Sequence, residues 1–220
     1  MVRVLAFFLM VVQMGLVALN SGFVKISSSP EVYECEQFLT EEECDIVIAQ
    51  AKPSMSRSTV IDDYSPKNVI DSRRTSLGTF LSQHSEHDVV RKIRQKAEEF
   101  TKIPQKNGEG LQVLQYSVGA EYQPHFDYFD PSLPGGSVHF HRGGQRVATL
   151  LVYLNTPQKG GETVFPKGGI AIKPVKGKAV LFYNVNAKGK EDPNSLHGGS
   201  PVIAGEKWIA TLWLRENTFR

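Results

Sequence analysis

From Leu111 onward, short apolar runs alternate with turn residues such as glycine, proline and asparagine. Runs of four to eight β-prone residues that are bounded by turn residues predict strands. The predicted strands span residues 111–118, 123–129, 146–154, 162–165, 170–172, 179–183, 195–197 and 207–214. Because no helical periodicity separates these runs, they favour a jelly roll or a sandwich over a parallel α/β sheet.

Two amphipathic helices are predicted upstream of these strands. Thr40, with Glu43 three residues later, has the sequence of a capping box and predicts a helix over 41–51 that stops before Pro53. A second helix is predicted to begin after Ser85. Its apolar stripe consists of Val89, Val90, Ile93, Ala97 and Phe100. Because both helices have one apolar face, we expect them to cover a sheet, so the predicted fold class is mainly β with flanking helices.

Two polar stretches interrupt this pattern. Ser27 to Pro30 is typical of a short linker, so the folded domain is expected over 31–216, with the jelly-roll core over 109–216. Residues 55–68 are rich in serine and aspartate and predict a mobile loop. Such loops often carry substrate contacts.

The first residues have the pattern of a targeting segment. Arg3 precedes a mostly apolar run over 4–19, and polar residues follow it. A helix of that length rises about 24 Å, which is short of a hydrocarbon core of roughly 30 Å. A cleaved signal peptide and an uncleaved signal anchor over 1–22 therefore both stay open. The absence of a clear cleavage site favours the anchor, with the rest of the chain exported.

Composition bounds the remaining possibilities. The chain has 220 residues, of which 40% are hydrophobic and 22% are charged, as expected of one globular domain. A net charge of +2 gives no dense basic face, so no nucleic-acid partner is expected. Cys35 and Cys44 could pair in an exported chain or stay free, and two cysteines are too few for a customary structural zinc site.

His125 and Asp127 are the first candidates for chemistry, because side chains at i and i+2 of a strand share a face. Both could reach one metal ion, with Phe126 turned into packing. A further histidine would complete the 2-His-1-carboxylate set of non-haem Fe(II) oxygenases. His197 is the candidate, because strands distant in sequence lie side by side in a jelly roll. Lys207 opens the last predicted strand between apolar neighbours, and a buried cation there would hold the far carboxylate of a 2-oxo acid.

The other histidines have ordinary interpretations. His139 and His141 follow a glycine-rich stretch and are predicted to be solvated loop residues. His84 and His87 flank the predicted start of the second helix and are expected at the surface or in a cap.

Together with the sequences GGQRVAT at 143–149 and GGETVFP at 160–166, the four candidate residues resemble the catalytic domain of prolyl 4-hydroxylases. These Fe(II)/2-oxoglutarate dioxygenases act on collagen-like or hydroxyproline-rich peptides. The resemblance covers about 32–214 and implies a double-stranded β-helix (jelly roll) core. It also implies that His125, Asp127 and His197 hold iron, and that Lys207 binds 2-oxoglutarate. Many related dioxygenases have arginine in that role, so the lysine favours the collagen-type branch.

Further positions carry over from the same resemblance. Tyr116 and Thr149 match residues that hydrogen-bond 2-oxoglutarate. Contacts to the peptide are implied for Arg74, Ser76, Glu109, Tyr122, Arg146 and Trp213. Trp208 is instead interpreted as core packing. Arg215 stands where algal and plant relatives have a histidine, which leaves the peptide contacts at that edge open.

The resemblance implies hydroxylation of peptidyl proline at C4, with release of succinate and carbon dioxide and with ascorbate rescuing oxidised iron. A stand-alone monomer is expected, without the separate peptide-binding domain or the disulfide-isomerase partner of animal collagen enzymes. Its expected location is the secretory pathway, in the lumen or membrane of the endoplasmic reticulum, or outside the cytoplasm of a bacterium. Two alternatives remain: the same chemistry on another side chain or a free amino acid, and a non-enzymatic jelly-roll binding module.

Overall fold

The computed structural model describes residues 22–62, 64–65, 67–81 and 88–220. The predicted targeting segment up to residue 21, the predicted N-cap Ser85 and the predicted surface residues His84 and His87 lie outside these ranges. Within the described ranges, no helix is both long and apolar enough to cross a membrane.

The helices of the described chain are α1 (Glu41–Ala51), α2 (Asp88–Thr101) and α3 (Pro134–Phe140). Helix α1 has the predicted bounds and the predicted capping box. The Thr40 side chain accepts from the backbone N–H of Glu43, and the Glu43 carboxylate accepts from the backbone N–H of Thr40. This pair satisfies two backbone donors that a helix leaves without partners at its start.

The strands, in chain order, are β1 (Val24–Ser28), β2 (Glu31–Cys35), β3 (Ser56–Arg57), β4 (Val60–Ile61), β5 (Asn68–Val69), β6 (Leu77–Leu81), β7 (Leu111–Tyr116), β8 (Tyr122–His125), β9 (Arg146–Tyr153), β10 (Lys159–Gly160), β11 (Thr163–Phe165), β12 (Ile170–Ile172), β13 (Ala179–Tyr183), β14 (His197–Gly199), β15 (Val202–Ala204) and β16 (Lys207–Arg215). An eight-stranded sheet has the order β1-β2-β13-β9-β16-β7-β6-β3. A four-stranded sheet has the order β12-β11-β14-β8, and the pairs in both sheets are antiparallel.

Side chains alternate between the two faces of the eight-stranded sheet. One face packs against α1 and α2, through a cluster that includes Val47, Ile93, Val113, Leu150, Leu181, Trp208 and Leu212. The other face packs against the four-stranded sheet, through a cluster that includes Leu114, Tyr153, Phe165, Phe182, Val202 and Ile209. The two sheets thus enclose one core and the helices cover a second, which confirms the jelly roll with flanking helices. Trp208 lies in the helix-facing core, as predicted.

This alternation also decides where the polar candidates lie. Lys207 is two residues before Ile209 on β16, and Thr149 is two residues before Leu151 on β9, so both side chains point between the sheets. Lys207 lies opposite Tyr116 of β7, and His197 lies opposite His125 of β8. The space between the sheets therefore contains several of the residues singled out from the sequence.

The structure corrects two predictions in the N-terminal half. The linker prediction for 27–30 was wrong, because Ser27 and Ser28 belong to edge strand β1, which pairs with β2. Polar side chains are tolerated there because an edge strand faces solvent. The stretch 55–68 is not one open loop, since β3 pairs with β6 and β4 pairs with β5 within and around it.

Three predictions around the site also need correction. The strand predicted over 123–129 ends at His125, so Asp127 lies in the bend that follows, and Phe126 is 37% exposed rather than packed. Ser195 belongs to a 3-10 turn, and its strand starts at His197. His139 is not a solvated loop residue. It is half-buried on α3 and stacks on Phe129.

Candidate metal and co-substrate site

Three side chains converge between β8, the bend after it and β14. The Nε2 atom of His125 lies 3.6 Å from Oδ1 of Asp127, and Nε2 of His197 lies 3.6 Å from Oδ2 of the same carboxylate. One ligand atom from each residue lies within 4.8 Å of the others. The structure thus brings together the three metal ligands predicted from the sequence, although Asp127 reaches them from a bend and not from a strand.

Backbone carbonyls fix the orientation of both imidazole rings. Nδ1 of His125 lies 2.9 Å from the carbonyl oxygen of Gln123, and Nδ1 of His197 lies 2.9 Å from that of Ser195. A carbonyl only accepts, so each Nδ1 carries the proton and donates it. Each Nε2 is then left with a lone pair that points into the site, which is the usual arrangement of a metal-binding histidine.

Burial and charge tune these groups toward coordination. Burial lowers the pKa of His197 to about 4, although Asp127 opposes the shift, so the ring is neutral at pH 7. Burial raises the pKa of Asp127, but His197, His125 and Arg146 outweigh it and hold that pKa well below its usual range. A neutral imidazole and an ionised carboxylate are the states in which these side chains bind metals.

A second layer of hydrogen bonds holds the carboxylate. The Thr149 hydroxyl donates to Oδ2 of Asp127 over 2.8 Å, and Nδ2 of Asn184 donates to the Thr149 hydroxyl over 2.9 Å. Asn184 follows β13 directly and is fully buried. The polar chain Asn184–Thr149–Asp127 therefore fixes the carboxylate from the eight-stranded sheet.

These residues fit an Fe(II) ion. Both separations of 3.6 Å are too long for hydrogen bonds, so neither imidazole Nε2 is engaged by the carboxylate beside it. Two neutral imidazoles and one carboxylate on one side of a site are the donor set of non-haem Fe(II) oxygenases, which leaves positions for other ligands.

Lys207 lies in the same inner cavity and is 2% exposed. Within the described residues, neither a hydrogen bond nor an ion pair joins its ammonium group to a protein group. Burial lowers its pKa to about 8, against a weaker opposing effect of Glu162. A buried cation without a partner is costly. It fits the carboxylate of a bound ligand, so 2-oxoglutarate suits this cavity as well as iron suits the triad.

The walls of the inner cavity place the other co-substrate candidate. Tyr116 lines it directly opposite Lys207, whose Nζ lies 5.4 Å from the Tyr116 ring centre. Gly161 also borders the lysine, because a Cβ added there would lie 3.1 Å from its Cδ. Thr149 lines the cavity too, with its hydroxyl proton given to Asp127. Contacts of Tyr116 and Thr149 with 2-oxoglutarate remain predictions.

A groove of about 1020 Å³ opens outside the triad. The predicted peptide-contacting residues that line it are Arg74, Glu109, Tyr122, Arg146 and Trp213. Arg74 lies over the Tyr122 ring at 4.7 Å, and that ring stacks on His125 with 3.6 Å between centres. Ser76 lines neither cavity. Its buried hydroxyl bonds to that of Ser58, so the structure does not place it with the others.

A buried ion cluster forms one wall of this groove. Arg146 donates to both Glu109 oxygens, at 2.6 and 2.9 Å, and Arg215 donates to Glu109 Oε1 at 2.7 Å. Both guanidinium groups outweigh the effect of burial, and so lower the pKa of Glu109. Arg215 is 1% exposed and also donates to the Gly144 carbonyl, so it positions Glu109 instead of facing the groove.

Several residues of the site were missed from the sequence. Asn184 could have been noticed as a polar residue directly after the apolar run of β13. Gln145 fixes the backbone of Phe129 by donating to its carbonyl and accepting from its N–H, at 2.8 and 2.7 Å. No local pattern reveals a side chain that bonds across 16 residues. Phe126 and Tyr128 line the groove, and the strand assignment concealed their exposure.

Comparison with known proteins agrees with this geometry. Residues 111–215 match the family described as the 2OG-Fe(II) oxygenase superfamily. The chain is 43% identical over 225 residues to the probable prolyl 4-hydroxylase 4 of Arabidopsis thaliana, which covers 92% of this chain and 74% of that protein. It is also 43% identical over 223 residues to prolyl 4-hydroxylase 2 of the same plant, covering 91% and 73%.

Solved structures are similar as well. The viral collagen prolyl hydroxylase of Paramecium bursaria Chlorella virus-1, in its 2OG complex, superposes with a TM-score of 0.66 and 33% identity, covering 84% of this chain and 95% of that one. A Pseudomonas putida prolyl-4-hydroxylase superposes with a TM-score of 0.56 at 17% identity, covering 84% and 92%, and supports the fold alone.

Proposed function

Because the chain belongs to the prolyl 4-hydroxylase family of 2OG-Fe(II) oxygenases, we propose that it hydroxylates peptidyl proline at C4. Molecular oxygen and 2-oxoglutarate are consumed, and succinate and carbon dioxide are released. The observation that carries this function is the shared cavity. It combines a 2-His-1-carboxylate triad with a buried, unpartnered Lys207, and it opens to a groove large enough for a peptide.

The chain's own residues divide the work. His125, Asp127 and His197 would hold Fe(II), and Lys207 would bind the far carboxylate of 2-oxoglutarate. When bound, iron and 2-oxoglutarate supply the oxidation of the proline C–H bond. Thr149 and Asn184 keep the Asp127 carboxylate oriented, and the apolar side chains between the sheets exclude water from the cavity.

The groove residues would position the peptide. Trp213 and Tyr122 line both the inner cavity and the groove, so a peptide in the groove can present one proline to the triad. The guanidinium of Arg146 packs on the Trp213 ring at 3.9 Å and holds it in place. A fixed aromatic wall beside the triad favours a single orientation of the proline ring.

The test is incubation of the protein with Fe(II), 2-oxoglutarate and a synthetic proline-rich peptide. Fragment-ion mass spectrometry should find one added oxygen atom on a proline residue, and hydrolysis should yield 4-hydroxyproline. Oxygen found only on another side chain, or only on a free amino acid, would support the alternative substrate. No oxidation of any peptide or amino acid would contradict the proposed function.

We further propose that the enzyme works in the secretory pathway, as a monomer anchored by its N-terminal apolar segment. Arg3 and the apolar run that follows support this placement. Fractionation of cells should recover the chain with membranes, and removal of residues 1–21 should release it. Ascorbate is proposed as the reductant that sustains turnover, and its omission should shorten the active period without changing the initial rate.

A further inference from the structure

Two aromatic rings on either side of the metal-ligating carboxylate face the groove and not the core. Phe126 and Tyr128 immediately flank Asp127, and their rings stack with 4.5 Å between centres and 27° between planes. Both line the groove, and neither lines the inner cavity. We refer to Phe126 and Tyr128 as the aromatic pair.

Packing does not account for the exposure of this pair. Phe126 is 37% exposed, although the bend after His125 could have turned its ring into the core while keeping Asp127 in place. The nearest charged group is Lys167, whose Nζ lies 5.9 Å from the Phe126 ring centre. Within the described residues, the Tyr128 hydroxyl makes no hydrogen bond to the protein. The pair is therefore available to a ligand in the groove.

We propose that the aromatic pair is a docking surface for the residues that flank the reacting proline, and that it selects substrates in the polyproline II conformation. This inference rests on the proposed function, because the occupant is the peptide substrate itself. The pair is continuous with the catalytic groove. A peptide that presents a proline to the triad must pass within a few side-chain lengths of these rings.

The chemistry of the pair favours this class of peptide. Proline-rich segments dock on exposed aromatic rings, because they form a polyproline II helix before binding and lose little conformational entropy. With a rise of about 3.1 Å per residue, rings adjacent to Asp127 would contact the substrate within about three residues of the reacting proline. The exposed Pro124, which also lines the groove, extends the same apolar surface.

The test compares two peptides of equal length, each with one central proline in a common tripeptide. In the first peptide the flanking residues are prolines that are blocked at C4 by fluorine, and in the second they are glycines. KM and kcat are measured by succinate release. Affinity is measured separately by anaerobic calorimetry with Mn²⁺ and 2-oxoglutarate, where no turnover occurs. The wild-type protein should prefer the proline-flanked peptide.

Phe126→Ala should raise the KM and the dissociation constant of the proline-flanked peptide about tenfold, the loss expected for an aromatic contact. The constants for the glycine-flanked peptide and the kcat should stay nearly unchanged. Phe126→Tyr should keep the preference, and Phe126→Leu should keep part of it. The matched control is Val24→Ala, which truncates a side chain that is 66% exposed on edge strand β1.

The outcomes separate the two proposals. If Phe126→Ala keeps the wild-type ratio between the peptides, or if the wild type shows no preference, the docking surface is wrong and the proposed function stands. If the wild type oxidises neither peptide nor any other proline-containing peptide, the proposed function fails first. An unchanged unfolding midpoint and 2-oxoglutarate affinity in Phe126→Ala exclude a general loss of structure.

Discussion

The hydroxyl of Thr149 donates a 2.8 Å hydrogen bond to Oδ2 of Asp127, the same oxygen that lies 3.6 Å from Nε2 of His197. Thr149 is on a central strand of the large sheet, whereas Asp127 is in a bend beyond the edge of the small one. This bond therefore ties the one ligand that regular secondary structure does not fix to the most rigid part of the fold.

Removing the Thr149 hydroxyl should weaken metal binding. Thr149→Val keeps the shape of the side chain but leaves Asp127 free to rotate and Asn184 Nδ2 without its acceptor. Loss of a hydrogen bond that orients a metal ligand lowers affinity roughly 10- to 100-fold. Titration of the apoprotein with Fe(II) under anaerobic conditions measures this loss. Thr79→Val, on a strand outside both cavities, is the control and should bind iron normally.

Lys207 should act on the co-substrate and not on the metal. Lys207→Ala removes the only partner that the inner cavity offers to a distal carboxylate, and loss of a buried charged partner weakens binding by roughly 100-fold. Lys207→Arg should recover only part of the affinity, because Gly161 packs too closely for a larger fork. Calorimetry with 2-oxoglutarate measures the loss. An unchanged affinity in Lys207→Ala would remove the lysine from this role.

The pH dependence of 2-oxoglutarate binding follows from the same residue. Burial lowers the pKa of Lys207 to about 8 in the free protein, so the ammonium is lost as the pH rises through this value. We expect kcat/KM for 2-oxoglutarate to fall about tenfold per pH unit above that pKa. The bound carboxylate stabilises the ammonium, so kcat should hold to higher pH. Lys207→Ala should show a low, flat profile over the same range.

The lysine should also affect stability in that pH range. Its folded-state pKa lies below the ordinary value of 10.5, so between pH 8 and 10.5 the unfolded chain binds more protons than the folded one. The contribution of Lys207 to the free energy of unfolding should therefore become more favourable as the pH rises through this window. Urea unfolding of the wild type and Lys207→Ala at several pH values isolates this contribution.

The Glu109 cluster should contribute to stability more than any exposed ion pair does. Glu109→Gln leaves the buried guanidinium groups of Arg146 and Arg215 without a counter-charge, at a cost of about 3–5 kcal/mol. Glu36→Gln, at the exposed Lys178–Glu36 pair, should cost less than about 1 kcal/mol. Urea unfolding of both variants tests the difference. Equal, small losses would show that the cluster is not structurally important.

Much of the fold could be predicted from local sequence. Helix α1 and strands β12 and β13 have the predicted bounds, because a capping box or turn residues mark their ends. The linker prediction at 27–30 failed for a different reason. Serine-rich stretches usually lie in loops, and only the long-range pairing of β1 with β2 makes this one a strand.

The site shows the same division. Residue types and spacing were enough to identify the triad and Lys207, because few side chains suit a metal or a carboxylate. The hydrogen bonds from Asn184 to Thr149 and from Arg215 to Glu109 cross 35 and 106 residues, and no local pattern encodes them. The exposure of Phe126 depends on where β8 ends, which periodicity alone placed too far along the chain.

The most direct test of the account is the succinate formed per 4-hydroxyproline by the wild type and by His197→Ala, with Fe(II), 2-oxoglutarate and a proline-rich peptide. We predict one succinate per hydroxyproline in the wild type and neither product in His197→Ala, with the variant still folded. Full, coupled turnover by His197→Ala would contradict the assignment of the iron site. Succinate formation by the wild type without any hydroxyproline would contradict the assignment of the substrate.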